Sequence, residues 1–125
     1  MTTMNTANNT VSAKVSNYRA APRKVRLIAD FVRGKSTKKA LAELQFVNKR
    51  HAGAIAKVIA SAVANAKENT TLNADEPIIS RIEVQEGKTM KRYRAGSNGR
   101  GLPMRKKLSH ISVELSERSD NKENK

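Results

Sequence analysis

The sequence predicts an α+β fold: three helices packed on a small three-stranded antiparallel sheet, with one long protruding β-hairpin. Three observations predict it. Between residues 22 and 69, apolar residues recur at helical spacing in three consecutive segments. Two later runs, ending near Gln85 and starting near His110, alternate apolar and polar residues as half-buried strands do. Between those runs, Lys88 to Lys107 carries eight basic residues and no Asp or Glu. That segment cannot bury enough apolar surface to offset its ordering entropy. Placed between two strands, it reads as a basic hairpin arm, spanning residues 86–110, that needs a polyanion around it.

The elements follow in order. Residues 1–10 form a polar, Asn/Thr-rich tail. Val11, Ala13 and Val15 alternate with Ser12, Lys14 and Ser16, which predicts a short strand. Pro22 suits the first turn of a helix, where its missing N–H costs nothing. Val25, Ile28 and Val32, with Leu27 and Phe31 beside them, form that helix's apolar side, and Gly34 stops it. Ser36 or Thr37 can cap a second helix bearing Ala40, Leu41 and Leu44, closed by Phe46 and Val47. Asn48 can cap a third, longer helix with the stripe Ile55, Val58, Ile59, Ala62, Val63 and Ala66. A polar turn runs from Thr70 to Pro77. Ile78, Ile82 and Val84 are then expected on one strand face, opposite Arg81, Glu83 and Gln85. Ile111, Val113 and Leu115 alternate with His110, Ser112 and Glu114 in the last strand. A single domain is expected over residues 11–117, with a charged tail at 118–125.

Composition narrows the function. The chain has 125 residues, enough for one modest core, and a net charge of +14. Such self-repulsion gains a free domain nothing, so nucleic acid or an anionic surface is the expected partner. No apolar run reaches membrane-spanning length and no signal peptide is present, which reads as cytoplasmic. Cysteine is absent, so thiolate metal sites and disulfides are excluded. The four aromatic residues, Tyr18, Phe31, Phe46 and Tyr93, are too few for a stacking reader of single strands. Contacts to phosphates and to folded RNA fit better.

Enzymatic readings find no support. The two histidines, His51 and His110, fall in unrelated segments, and no HExxH, P-loop or paired-carboxylate motif occurs. No catalytic residue, metal site or cofactor is expected. His51 lies beside Lys49 and Arg50, where a phosphate contact or plain solvation outweighs catalysis. A second basic cluster, Arg19, Arg23, Lys24 and Arg26, flanks the start of the first helix. Cations there oppose the helix macrodipole, whereas an anion would be welcomed by it. The plain alternative is a solvated basic face; placement against the dipole favours RNA. Arg33 and Lys35 are balanced between the two readings. Asn65 and Asn69 are poor mid-helix residues. They serve either as helix-end polarity or as hydrogen-bonding groups for RNA or the hairpin base.

These residues resemble the bacterial large-subunit ribosomal protein L-twenty-two family. The resemblance rests on Ala21-Pro22-Arg23-Lys24-Val25-Arg26-Leu27, Arg33-Gly34-Lys35, Ala40-Leu41, and Ser61-Ala62-Val63-Ala64-Asn65-Ala66 with Asn69. Its most specific part is Glu86-Gly87, Met90-Lys91-Arg92, Gly99-Arg100, Arg105-Lys106-Lys107 and Ser109-His110-Ile111. Order and spacing agree from about Val11 to Glu117. The resemblance implies a cytoplasmic, ribosome-bound structural protein that contacts large-subunit ribosomal RNA, assists its assembly and touches neighbouring ribosomal proteins. It also implies a hairpin tip lining the nascent-peptide tunnel, and no homo-oligomer. Carried onto this chain, the RNA-binding set is Arg19, Arg23, Lys24, Arg26, Arg33, Lys35, Asn65, Asn69, Lys88, Lys91, Arg92, Tyr93, Arg94, Arg100, Arg105, Lys106, Lys107, Ser109 and His110. The tunnel tip is Met90, Lys91, Arg92, Asn98, Gly99, Arg100, Gly101 and Leu102. At the tip the chain departs from the family: Ala95-Gly96-Ser97-Asn98 replaces a more basic, Pro-containing run, and Gly101-Leu102 replaces a small-plus-polar pair. A competing reading is a free nucleoid-type protein, with a basic arm in the DNA minor groove and Leu102-Pro103 as an apolar wedge.

Overall fold

The computed structural model describes residues 10–69 and 77–117. The expected tails, apart from Thr10, and most of the Thr70–Pro77 turn lie outside the described residues. In chain order the elements are β1 (Val11–Tyr18), α1 (Pro22–Val32), α2 (Thr37–Leu44), α3 (Ala52–Asn69), β2 (Ile78–Ala95) and β3 (Gly101–Ser116). A 3-10 turn at Ser97–Gly99 joins the last two strands. The fold is α+β. Its one sheet is antiparallel in the order β1-β3-β2, so β3 is central.

The three helices cover one sheet face. Ile111, Val113 and Leu115 are fully buried, while Ser112 and Glu114 between them are only half-buried. Against them pack Val25, Ile28 and Val32 of α1 and Ile55, Ile59 and Ala62 of α3. α2 adds Ala40 and Leu44. Leu27 and Phe31, beside the α1 stripe in sequence, face solvent, because the stripe at 25, 28, 29 and 32 already fills the contact.

The helix ends follow local chemistry. Pro22 opens α1, and Gly34 ends its corner with φ +81°, a left-handed conformation that a side chain would resist. Ser36 caps α2, its Oγ accepting from the Lys39 N–H at 3.4 Å. α3 begins at Ala52 rather than just after Asn48. Residues 45–51 form the connection, with Phe46 exposed and Val47 packed against the core.

Three β-bulges break the simple alternation. Ser80 is an extra residue in β2, between the Ile79↔Leu115 and Arg81↔Glu114 pairs. One inserted residue reverses which side chains face inward. Ile79 is therefore buried with Ile82 and Val84, and Ile78, expected on the inner face, is not. A second bulge places Gly87 and Lys88 opposite Leu108. A third, in β1, places Ser16 and Asn17 opposite His110, with Asn17 at φ +59°. The last two flank β3 on either side at residues 108–110, where the hairpin leaves the helical layer.

Edge strand β2 is covered as it runs past α1. The Gly34 N–H donates to the Ile79 carbonyl (3.1 Å), and the Ile79 N–H donates to the Lys35 carbonyl (3.0 Å). Farther along, Arg33 Nη2 donates to the Ile82 carbonyl (3.0 Å) and Arg26 to the Val84 carbonyl. One turn of chain and two guanidinium groups thus occupy an edge that would otherwise invite pairing with another strand.

Candidate nucleic-acid interface

One groove gathers cations from three distant parts of the chain. Arg19, Arg23 and Lys24 come from the entry and first turn of α1, and Arg50 and His51 from just before α3. Arg105, Lys106 and Lys107 come from the root of the hairpin. With Ala20 and Ala21 they line a space of about 420 Å³ that, among the described residues, no carboxylate enters. The start of α1 makes the groove more positive still. Its N-cap is Ala21, which has no capping side chain, and its first turn holds no acid. Pro22 has no N–H and the Lys24 N–H turns back to the Ala21 carbonyl (3.1 Å), so that turn offers an anion the Arg23 N–H and the positive end of the helix macrodipole.

His51 lines the groove, and Tyr18 holds its ring. The Tyr18 hydroxyl lies 3.0 Å from His51 Nδ1, and the rings meet edge to face at 5.7 Å. Burial, and then the nearby Arg50 and Lys24 charges, hold the His51 imidazole below its ordinary pKa of 6.5. One hydrogen bond joins the two side chains, its direction set by the His51 tautomer.

The hairpin extends the basic surface. Beyond the Gly87–Lys88 bulge, β2 and β3 pair from Thr89↔Lys107 to Ala95↔Gly101, and no residue from 88 to 107 is buried. Directly opposed residues share a face. Lys91, Arg105, Lys107, Tyr93 and Pro103 therefore lie on one face, and Met90, Lys106, Arg92, Met104, Arg94 and Leu102 on the other. Arg105 and Lys107 belong to both arm and groove, which makes the two surfaces continuous. Among the described residues, no carboxylate forms an ion pair with an arm cation. Tyr93 is 80% exposed, with an open ring face. The apex is defined: the Gly96 N–H donates to the Arg100 carbonyl at 2.7 Å, and Asn98 and Gly99 both take left-handed backbone.

Several expected contact residues are engaged within the fold instead. Arg26 and Arg33 hold the β2 edge, and Arg33 also pairs with Asp30 at 2.6 Å. Lys35 pairs with Glu43 and lies 3.7 Å from the centre of the Phe31 ring. Asn65 Nδ2 donates to the Ser12 carbonyl at 3.4 Å, a contact with β1 rather than with the hairpin. Asn69 ends α3, and its side chain lies outside the described residues. Ser109 is fully buried with its Oγ toward the Tyr18 carbonyl, so it leaves the RNA-binding set. His110 Nδ1 accepts the Asn17 N–H at 3.0 Å, satisfying the bulge. Arg50 and His51 join the groove from outside the expected set. Their signal in the sequence is the basic run Lys49-Arg50-His51 ahead of a helix.

The profile of the family described as ribosomal protein L22p/L17e matches residues 13–116. The chain is 41% identical over 108 residues to the large ribosomal subunit protein uL22 of Pediococcus pentosaceus, covering 86% of this chain and 92% of the relative. It is 40% identical over 112 residues to that of Lactobacillus gasseri, covering 90% and 96%. For the Staphylococcus aureus protein the identity is 42% over 105 residues, covering 84% and 90%.

Proposed function

The chain belongs to the ribosomal protein L22p/L17e family, and from that premise we propose that it is a structural protein of the large ribosomal subunit. It binds ribosomal RNA through the basic groove and both faces of the arm, and it helps that RNA assemble. The arm apex lines the nascent-peptide tunnel, with Asn98, Gly99 and Arg100 nearest the passage. Its partners are ribosomal RNA, neighbouring ribosomal proteins and the nascent chain, and its place is the cytoplasmic ribosome. It is not an enzyme, since its family is structural.

The observation that carries this reading is the continuity of groove and arm. Seven cations and a helix N-terminus converge with no acid among them, and the cations run on up a hairpin that has no core of its own. Like charges held this close repel unless an anion lies between them. Phosphates spaced along RNA supply such anions. The nucleoid-type alternative loses its wedge: Leu102 and Pro103 sit on the arm's flank, opposite Arg94 and Tyr93, while the apex is Ser97–Gly99.

The chain has no cysteine, so one introduced thiol is a unique probe. Asn98→Cys, coupled to a hydroxyl-radical source and incorporated into large subunits, should cleave ribosomal RNA around the tunnel. Coupled instead to a photocrosslinker, it should capture a stalled nascent chain. Subunits that incorporate the variant yet show neither cleavage nor capture would rule out the tunnel placement.

A further inference from the structure

We propose that Asn98-Gly99, at the apex of the arm, is a site of spontaneous deamidation, through which the free chain gains a carboxylate where the arm has none. It is the only Asn-Gly pair in the chain. The attacking group in such a pair is the backbone nitrogen of the second residue, and glycine puts no Cβ beside it. Water is the only co-reactant. The Gly99 nitrogen gives up its proton and bonds to Asn98 Cγ. The Cγ–Nδ2 bond breaks, and the side-chain NH2 leaves with a proton as ammonia, closing a five-membered imide. Water then opens the imide at either carbonyl. Attack at Cγ restores the main chain and leaves aspartate. Attack at the main-chain carbonyl leaves isoaspartate, in which the chain runs on through Cβ and Cγ.

The apex leaves that ring free to close. Asn98 and Gly99 lie in the Ser97–Gly99 turn, none of whose residues is buried. Closure needs Asn98 Cβ, Cα and C nearly coplanar with the Gly99 nitrogen, so Asn98 must rotate away from its ψ of 32°. Two backbone hydrogen bonds close the turn, and the one from the Arg100 N–H to the Ser97 carbonyl is long, at 3.4 Å. With no buried side chain to release, opening here falls at the low end of local unfolding. A Cβ placed on Gly99 would meet nothing within 4 Å, so the approach is open. Arg100 follows directly, and a nearby cation favours the amide anion that attacks. Other asparagines lack these conditions. Asn17 precedes Tyr18 within β1, its N–H bonded to His110. Asn65 lies inside α3, its side-chain amide donating to the Ser12 carbonyl.

Either product changes the apex. Lys88 to Lys107 contains no Asp or Glu, so the new carboxylate is the arm's first. Isoaspartate also lengthens the main chain inside the turn that the Gly96 N–H and the Arg100 carbonyl hold shut at 2.7 Å. In the ribosomal setting proposed above, on which this consequence rests, a converted tip meets RNA phosphates with like charge. Chain left unassembled is thereby marked at its tip and enters subunits less readily.

The purified full chain is incubated without RNA at mildly alkaline pH and digested with trypsin at intervals. Arg94 and Arg100 bound the peptide Ala95–Arg100, whose mass should shift to that of the deamidated form. Isoaspartate in it, detected with an isoaspartate-specific methyltransferase, identifies the imide, because direct hydrolysis of the side chain gives aspartate alone. Conversion should run at least about tenfold faster than in the peptides holding Asn17 or Asn65, whose segments open less readily. Asn98→Gln should abolish it. Expressed in cells, tagged Asn98→Asp should enter large subunits less than Asn98→Gln, which keeps a neutral amide. Absence of isoaspartate at the apex, or conversion no faster than at Asn17 and Asn65, would overturn the site. Equal incorporation of the two variants would overturn its consequence. Absence of the unaltered chain from large subunits would instead count against the ribosomal reading, with the site in the free chain still established.

Discussion

Lys91 and Arg105 stand directly opposite one another in the arm, cation against cation on adjacent strands. Opposed like charges destabilise a sheet pair, whereas opposite charges contribute about 0.2–1 kcal/mol. Under the proposed RNA-binding function, the free and bound states therefore want different residues here. Lys91→Glu should slow amide exchange in the free arm between Thr89 and Ala95. The same change should weaken binding to ribosomal RNA fragments and flatten the plot of log K against log[salt] by about one unit. Unchanged affinity and salt slope would remove the arm's first rungs from the RNA interface.

Arg26 and its neighbours on α1 separate into two roles. Arg26 donates to the Val84 carbonyl from Nε at 3.3 Å and Nη2 at 3.2 Å. Arg23 and Lys24 face the groove. Arg26→Ala should lower stability by about 1.5–3 kcal/mol, the scale of hydrogen bonds made by a charged donor. Arg23→Ala with Lys24→Ala should leave chemical unfolding nearly unchanged and flatten the salt slope by about two units. The comparison is informative because all three cations look alike in the sequence.

Deleting residues 88–104 and closing the strands with an Asn-Gly turn should leave the helical body folded, since no residue of that segment is buried. By contrast, Ile59→Ala should cost about 2–5 kcal/mol, because Ile59 is fully buried between α3 and the sheet. Urea denaturation of the two variants tests whether the core has been placed correctly.

What the sequence revealed follows from what each signal depends on. The α3 stripe and the alternation of Ile111, Val113 and Leu115 are local periodicities, and both were legible. Ser80 defeats a local reading, because a bulge is decided by the partner strand; hence Ile79 faces inward and Ile78 does not. Arg26 and Arg33 looked free because their acceptors, Val84 and Ile82, lie about fifty residues away on β2. The basic arm was legible from composition alone. The groove was only partly so, since the convergence of Arg19, Arg50 and Arg105 exists only in the folded chain.

His51 carries a pH signature. Burial, Arg50 and Lys24 depress its pKa in the folded chain, while the unfolded chain titrates near the ordinary value of 6.5. Between the two values the unfolded state holds more protons, so stability rises with pH. The contribution is present above about pH 6.5 and is lost as pH falls through the folded value. Melting temperatures of the free protein should therefore fall between about pH 7 and 5.5, and less steeply in His51→Gln. A phosphate in the groove opposes the Arg50 and Lys24 charges and favours imidazolium. RNA binding should take up protons in that window, measured calorimetrically in buffers of different ionisation enthalpy. Equal proton uptake by His51→Gln would show that the groove's phosphate lies elsewhere.

Gly87 decides where the arm points. It shares a bulge with Lys88 opposite Leu108, and a Cβ added to it would lie 2.9 Å from the Leu108 carbonyl oxygen and 3.1 Å from the carbonyl carbon. Those are backbone atoms of the central strand, which cannot swing aside as a side-chain end can. Gly87→Ala must therefore spread β2 from β3 at the arm's root, costing about 1–3 kcal/mol as other overpacking changes do. The helical core lies on the body side of this bulge and keeps its packing. The groove keeps Arg19, Arg23, Lys24 and Arg50, so short RNA fragments should still bind it. The apex, at the end of a ladder running from Thr89 to Ala95, is displaced most, because a change of angle at the root grows with distance. Incorporation into large subunits should then fall much more than affinity for fragments. Quantifying tagged Gly87→Ala in purified subunits, beside its binding to isolated RNA fragments, separates the two. An equal loss in both assays would show that Gly87 matters for folding rather than for aiming the arm.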